Sequence, residues 1–274
     1  MKKIIVPVDF STTSENAAEF AGNLAIFYDA EILLYHAYEV PVAIAEITYQ
    51  AFDIAETQRA ADHELLLVKD ALQDKLRSKV TIKIMSELAP FTEGMVALCE
   101  TENPDLVVIG LSGKDALTKL IVGSNTVKLM HLLKYPILIV PPKAAFTPVR
   151  KIGFACDYKQ IEKNTPVDLL KKMVTDFNAE LHIINVDFNN RNFTPDTVNE
   201  SYALKEMFKK ITPIYSSIES ESVTEGLNNY ADETGLDWIV MIPKKHTLLQ
   251  KLFSRSHSKE MLYHTHLPVL CVHQ

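Results

Sequence analysis

The chain repeats itself, and that repetition limits its possible folds more than any other feature. KIGFACDYK at 151–159 matches KIIVPVDFS at 3–11, which places Asp157 where Asp9 stands. NAELHIINVD (178–187) matches DAEILLYHAY (29–38). From Thr92 to Val140 the match to Thr224–Val272 runs without a gap. Within it Thr-Glu-Gly recurs at 92–94 and 224–226, as do the pairs Asp105/Asp237, Ser124/Ser256 and Pro136/Pro268. Each copy approaches the length of a whole domain, so two like domains are expected rather than a stack of short repeats. The expected units are 1–143 and 149–274, joined through PPKAAFTPV (141–149), where Pro141, Pro142 and Pro148 interrupt regular pairing.

Within each copy, short β-rich runs alternate with helical stretches. IIVPV (4–8) precedes an amphipathic segment from about Thr13 to Tyr28, with Ala17, Ala18, Phe20, Ala21, Leu24 and Ala25 at helical spacing. EILLYHAY (31–38), a helical stretch near 55–76, VTIKIM (80–85), a helix near 92–102, LVVIG (106–110) and PILIV (136–140) follow. Continuous apolar strands separated by helices indicate a parallel sheet with both faces covered.

Charge narrows the function classes. The 274 residues carry a net charge of −7, which argues against general affinity for nucleic acid or an anionic membrane. Residues 1–143 hold 13 Lys and Arg against 19 Asp and Glu, while 144–274 hold 15 against 16, so local basic patches remain open to the second half. The three cysteines, Cys99, Cys156 and Cys271, are too few and scattered for a disulfide framework or zinc knuckle. The apolar run after Lys2 and Lys3 is too short for a signal peptide and is broken by Asp9; no stretch approaches the roughly 20 apolar residues of a membrane span. A soluble, cytoplasmic protein is expected.

The segment LVVIGLSGKDALTKLIVGSNTVKLM (106–130) carries the chemistry. Gly110 ends a buried strand, Gly113 follows, and Gly123-Ser124 opens a helical run; three of the chain's eight glycines sit here. Glycine lets backbone N–H groups approach a ligand closely. A helix N-terminus favours an anion, and Ser124 can cap that helix or donate to phosphate. The segment is not a Walker A loop, since Gly113-Lys114 is followed by Asp115. Nor is it a dinucleotide fingerprint, because the first turn, VDFSTTS (8–14), contains no glycine. A tight connection whose glycines serve only geometry is the competing reading.

Gly110-x-x-Gly113, nine residues, then Gly123-Ser124 is similar to the ATP-binding pattern of the universal stress protein family. Pro-Val-Asp-Phe-Ser (7–11) resembles that family's first-strand signature, and Tyr35-His-Ala37 the end of its second strand. The resemblance covers both halves. It implies two tandem doubly wound, Rossmann-like units of the adenine-nucleotide alpha-hydrolase-like kind, each with a five-stranded, mostly parallel sheet flanked by helices. It implies adenine and ribose near Pro7, Asp9 and the Ala37 backbone, and ribose and phosphates along Gly110, Gly113, Gly123, Ser124 and the Asn125 backbone. The ligand would be ATP; magnesium could be reached by Ser124, although one hydroxyl does not make a metal site. The family also implies closing strands that pair across a twofold interface. PILIV (136–140) and PVLCV (268–272) could do so inside one chain, as an intramolecular pseudo-dimer with further homodimerisation left open.

In the second copy Gly110, Gly113 and Gly123 become Ile242, Lys245 and Arg255, so one ATP site is expected, not two. Lys244, Lys245, His246, Lys251, Arg255, His257 and Lys259 make that loop basic, either as a solvated surface or as a site for an anionic ligand or acidic partner. His257, His264, His266 and His273 show no metal-ligand spacing. The apolar segment 39–52 reads as a lid, a protein-docking surface or the start of the second helix, and His36 as a packed strand residue. No motif assigns a catalytic residue. Binding without efficient turnover in a stress-response protein is the leading expectation; a nucleotide-independent interaction module and a slow ATP hydrolase are the alternatives.

Overall fold

In the computed structural model the described residues are 1–39, 54–111, 124–189, 195–242 and 267–272. The first unit runs β1 (Lys3–Pro7), α1 (Thr12–Tyr28), β2 (Glu31–Tyr38), α2 (Ile54–Lys75), β3 (Ile82–Leu88), α3 (Phe91–Glu102), β4 (Leu106–Gly110), α4 (Ser124–Leu132) and β5 (Ile137–Val140). The second runs β6 (Lys151–Ala155), α5 (Ile161–Asn164), α6 (Val167–Phe177), β7 (Glu180–Asp187), α7 (Pro195–Phe208), β8 (Ile214–Glu219), α8 (Val223–Thr234), β9 (Trp238–Met241) and β10 (Val269–Cys271). The expected strands and helices are present; the third strand starts later than VTIKIM suggests and continues to Leu88.

All strands of the described residues join one sheet in the order β3-β2-β1-β4-β5-β10-β9-β6-β7-β8. Each unit is parallel throughout. Among the described residues the one antiparallel pair is β5 with β10, where Leu138 faces Leu270 and Ile137 faces Cys271. The closing strands therefore pair within one chain.

Residues that recur in the sequence recur in structural jobs. Asp105 Oδ2 accepts the N–H groups of Lys2 (2.6 Å) and Lys3 (3.0 Å), fixing the start of β1. Asp237 Oδ2 takes those of Arg150 (2.7 Å) and Lys151 (2.9 Å) at the start of β6. Helices end alike too: Asp29 and Asn178 are left-handed caps of α1 and α6, and Asn103 and Gly235 of α3 and α8. In both Thr-Glu-Gly copies the glycine lies under a neighbour: a Cβ on Gly94 would strike the Tyr35 hydroxyl, and one on Gly226 would stand 2.8 Å from Val186.

Alternation along the strands feeds two cores. Ile4, Val6, Ile32 and Leu34 face α1 and α2, with Leu170 and Phe208 on α6 and α7 extending the same cluster. Ile5, Leu33, Tyr35 and Ile109 face α3 and α4, with Leu227 and Ala231 on α8 beyond the seam. Both cores therefore cross from one unit to the other. On the first face the seam is aromatic. Phe27 stacks on Phe177 (4.9 Å), Phe177 meets the single tryptophan, Trp238, edge-on (5.6 Å), and Phe20 lies 6.1 Å from Trp238.

The units differ after their first strands. The unbroken α1 is replaced by α5, a break, and α6. Thr165 is extended (φ −80, ψ 123) because Pro166 disfavours a helical residue before it and has no N–H to donate. The short α5 packs against α7, whereas α1 packs on β4 and β1.

A second asymmetry is His182, which stands where the first unit has Leu33. It is buried, and its Nδ1 lies 2.8 Å from the Tyr230 hydroxyl, itself 2.7 Å from Ser216 Oγ. Burial pushes the imidazole below its ordinary value, only partly offset by Glu180 at 3.6 Å. The unfolded chain thus binds a proton more readily than the folded one as pH falls through about 6.5, so stability contributed by neutral His182 is lost on acidification. His182→Leu is expected to flatten the decline in unfolding free energy between pH 7 and pH 5, by at most about 1.4 kcal/mol per pH unit; denaturant titrations across that range check it.

The shared cores carry a further expectation. Unfolding followed by Trp238 fluorescence and by far-ultraviolet circular dichroism should give coincident transitions for the two units. Phe177→Ala should lower the midpoint, costing about 2–3 kcal/mol, and shift Trp238 emission to the red.

Candidate functional site

A doubly wound sheet places its ligand crevice beyond the carboxyl ends of the strands where the winding reverses. In the first unit that point lies between β1 and β4, which pair with Ile4 opposite Leu106 and Ile5 opposite Val107. β1 ends at Pro7, beside Tyr35 of β2, and β4 ends at Gly110, beside Val140 of β5. The helices that follow β1 and β4 begin at this end, so the N-termini of α1 and α4 both open onto the crevice.

The turn leaving β1 is tightly specified. Ser11 caps α1, its Oγ accepting the Ser14 N–H at 3.2 Å. The same hydroxyl donates to Asp9 Oδ1 (2.5 Å), which also accepts the Ser11 N–H (3.1 Å). Partial burial works to raise the Asp9 carboxyl, but the Ser11 and Ser14 hydroxyls and backbone N–H groups hold it below the usual aspartate range. Asp9 is exposed and stays an anion with acceptor capacity to spare. Between Asp9 and Ser11, Phe10 takes a left-handed conformation (φ 60) and rests its ring on His36, 4.4 Å away.

Ala37 lies near the end of β2. Tyr35 C=O accepts the Val8 N–H (2.8 Å), and Tyr38 C=O accepts the Ala89 N–H on the other side (3.1 Å). Backbone groups alternate sides along a strand, so the N–H and C=O of Ala37 point the same way as those of Tyr35, past the end of β1.

Gly110 has a packing role that its spacing does not reveal. A Cβ there would collide with the Thr13 carbonyl and come within 3.3 Å of the Ser14 N–H in the first turn of α1. The missing side chain makes room for the first turn of α1. In the second unit the matching Ile242 is buried, and the matching helix is the broken α5–α6 pair. Ser124 opens α4, as its sequence context suggests, with Asn125 exposed in the first turn and Thr126 buried.

Pro7, Asp9, Ala37, Gly110 and the Ser124–Asn125 helix start are thus brought to one end of the sheet. Gly113 and Gly123 lie outside the described residues, as do Lys244, Lys245, His246, Lys251, Arg255, His257, Lys259, His264, His266, His273 and the apolar stretch 40–52. Among the described residues no cluster of histidine, cysteine and carboxylate groups could hold a metal ion, and no helix is long and apolar enough to cross a membrane.

The family model described as "Universal stress protein family" matches residues 1–141 and again 149–273. The chain belongs to the universal stress protein family. Universal stress protein MJ0531 of Methanocaldococcus jannaschii is 28% identical over 142 residues, covering 51% of this chain and 81% of the relative. A universal stress protein crystal structure from Archaeoglobus fulgidus DSM 4304 covers 99% of this chain and 98% of its own, with TM-score 0.72 at 16% identity, which shows the shared two-unit fold. A universal stress protein solved in complex with cAMP is similar over 52% of this chain and 98% of its own (TM-score 0.40, 18% identity).

Sequence reading missed Ser11, Ser14 and the placement of His36. The first two were legible as a cap, since Ser11 and Ser14 flank the start of an apolar-periodic run. For His36 the clue was Asn185 at the matching position, a second polar side chain in an otherwise apolar strand.

Gly110→Ile, which copies the second unit, is expected to push the first turn of α1 off β4. The cost should be about 1–3 kcal/mol in denaturant unfolding, with faster amide exchange confined first to Thr12–Ala17.

Proposed function

We propose that the protein binds ATP at one site, in a first unit spanning 1–143, and that the second unit, 149–274, lacks such a site. The observation that carries this reading is convergence at the β1/β4 switch point. An anionic, exposed Asp9, outward-facing Ala37 backbone groups and the N-terminus of α4 all stand at one sheet end. Adenine and ribose would lie against Pro7, Asp9 and Ala37, with ribose and phosphates along Gly110, Gly113, Gly123, Ser124 and the Asn125 backbone. Magnesium would accompany the phosphates rather than occupy a site built by protein carboxylates.

The role that follows is regulatory. Nucleotide occupancy changes the surface offered to partner proteins, in the manner of a cytoplasmic stress-response protein. Three buried cysteines, none in a disulfide, suit a reducing compartment. Turnover is not assigned, because no motif gives Lys114, Asp115, Lys119 or Lys128 a catalytic role. A second reading, an interaction module independent of nucleotide, draws on α7, where Val198 is 57% and Tyr202 66% exposed one helical turn apart.

Calorimetric titration with ATP should give one site per chain. Gly113→Lys and Gly123→Arg, which import the second loop's residues, should weaken it at least about tenfold, or 1.4 kcal/mol, while leaving the melting temperature unchanged. Two sites per chain, or variants that bind as well as the parent, would refute the reading.

A further inference from the structure

The turn that carries Asp9 is built twice in this chain. In the first unit Val8 donates its N–H to Tyr35 C=O (2.8 Å), and its own carbonyl lies 2.7 Å from His36 Nδ1. In the second, Cys156 donates to Ile184 C=O (2.8 Å) and accepts from Asn185 Nδ2 (2.9 Å). Next comes an aspartate whose Oδ1 accepts the N–H two residues on, from Ser11 (3.1 Å) or Lys159 (3.2 Å). Between them stands an aromatic residue in the left-handed region, Phe10 (φ 60) or Tyr158 (φ 51).

A side chain with a Cβ pays about 1–2 kcal/mol for that backbone conformation, so its surroundings must hold it there. A carbonyl only accepts, hence His36 carries its proton on Nδ1 and donates to Val8 whether the ring is neutral or cationic. Asn185 supplies the same donor. Only His36 also supplies a ring, and Phe10 rests on it at 4.4 Å with the planes inclined by 39°.

We propose that His36 is the positioning residue of the nucleotide site: its Nδ1–H fixes the Val8 carbonyl and its ring supports Phe10, so that Asp9 is presented past the end of β1. This inference deepens the ATP reading and rests on it for its ligand. The donor is the part shared with the second unit, and the ring is the part particular to the first. Ser11 holds the turn from the helix side and His36 from the strand side. Asp9 sits between two anchors that fix its carboxylate before any ligand arrives, which lowers the ordering cost of binding.

Two readouts on the full chain test this, one of them free of ligand. The first is the carbon-13 titration of the Asp9 carboxyl, held low by the bonds of the turn. It should move toward the ordinary aspartate value in His36→Ala and stay within a few tenths of a unit of the parent in His36→Asn. The second is ATP affinity by calorimetry, expected to fall about tenfold in His36→Ala and at most about threefold in His36→Asn, as the loss or retention of one hydrogen bond implies. Asn185→Ala cuts the same bond in the second unit and should leave both readouts unchanged. His36→Gln, whose longer amide overshoots the carbonyl, stands in if the alanine variant does not fold and should behave like it.

Unchanged Asp9 titration in His36→Ala overturns the proposal; if affinity falls in that variant all the same, His36 touches the ligand directly. His36→Asn as impaired as His36→Ala overturns the donor role. Failure of the parent protein to bind ATP removes the nucleotide reading alone, because the Asp9 titration still decides whether His36 sets the turn.

Discussion

The antiparallel pairing of β5 with β10 is the contact on which the rest of the molecule depends. It joins two parallel five-stranded sheets into one and lets each core run across the seam. It also sets the two units head to tail. Within a parallel sheet every crevice opens at the carboxyl ends of the strands, and the antiparallel junction turns those ends in opposite directions. The first unit's crevice and its counterpart in the second therefore face away from each other.

That separation makes the duplication an internal control. Features present in both units serve the fold: the carboxylates of Asp105 and Asp237 at the strand starts, the left-handed caps, and the glycines beneath Tyr35 and Val186. The aspartate turn belongs to this class as well, because Asp157 repeats the backbone bond of Asp9. Asp9 alone is therefore weak evidence for a nucleotide. The discriminating features are those the second unit lacks, namely the glycine spacing, an unbroken α1 seated on β4, and the Ser11 hydroxyl, replaced by Lys159.

The succession of strands and helices along the chain was legible because apolar runs and amphipathic periods are local. The family resemblance implied the seam, with PILIV and PVLCV as the strands that could form it. Three things were not legible. Pro166 splits the second unit's first helix, and a proline so close after a short helical start is compatible with either a break or a first-turn residue. His182 looks like an ordinary strand residue until Tyr230 and Ser216 arrive from two other elements. Gly110 was visible as a glycine with a purpose, but its purpose depends on the path of a helix nearly one hundred residues earlier.

Gly110 alters the weight of the glycine pattern without removing it. Its small side is turned to the Thr13 and Ser14 backbone, so its work is to let α1 begin against β4. That seating places the Ser11 cap, and through it the Asp9 carboxylate, at the mouth of the crevice. A bulky residue in its place goes with an altered helix, as Ile242 does with the short α5 that leans on α7 instead of the sheet. Loss of this glycine therefore removes a packing contact as well as the clearance proposed at a phosphate. It uncouples the first helix from the strand that carries the loop, and the two halves of the proposed nucleotide crevice no longer meet in fixed register.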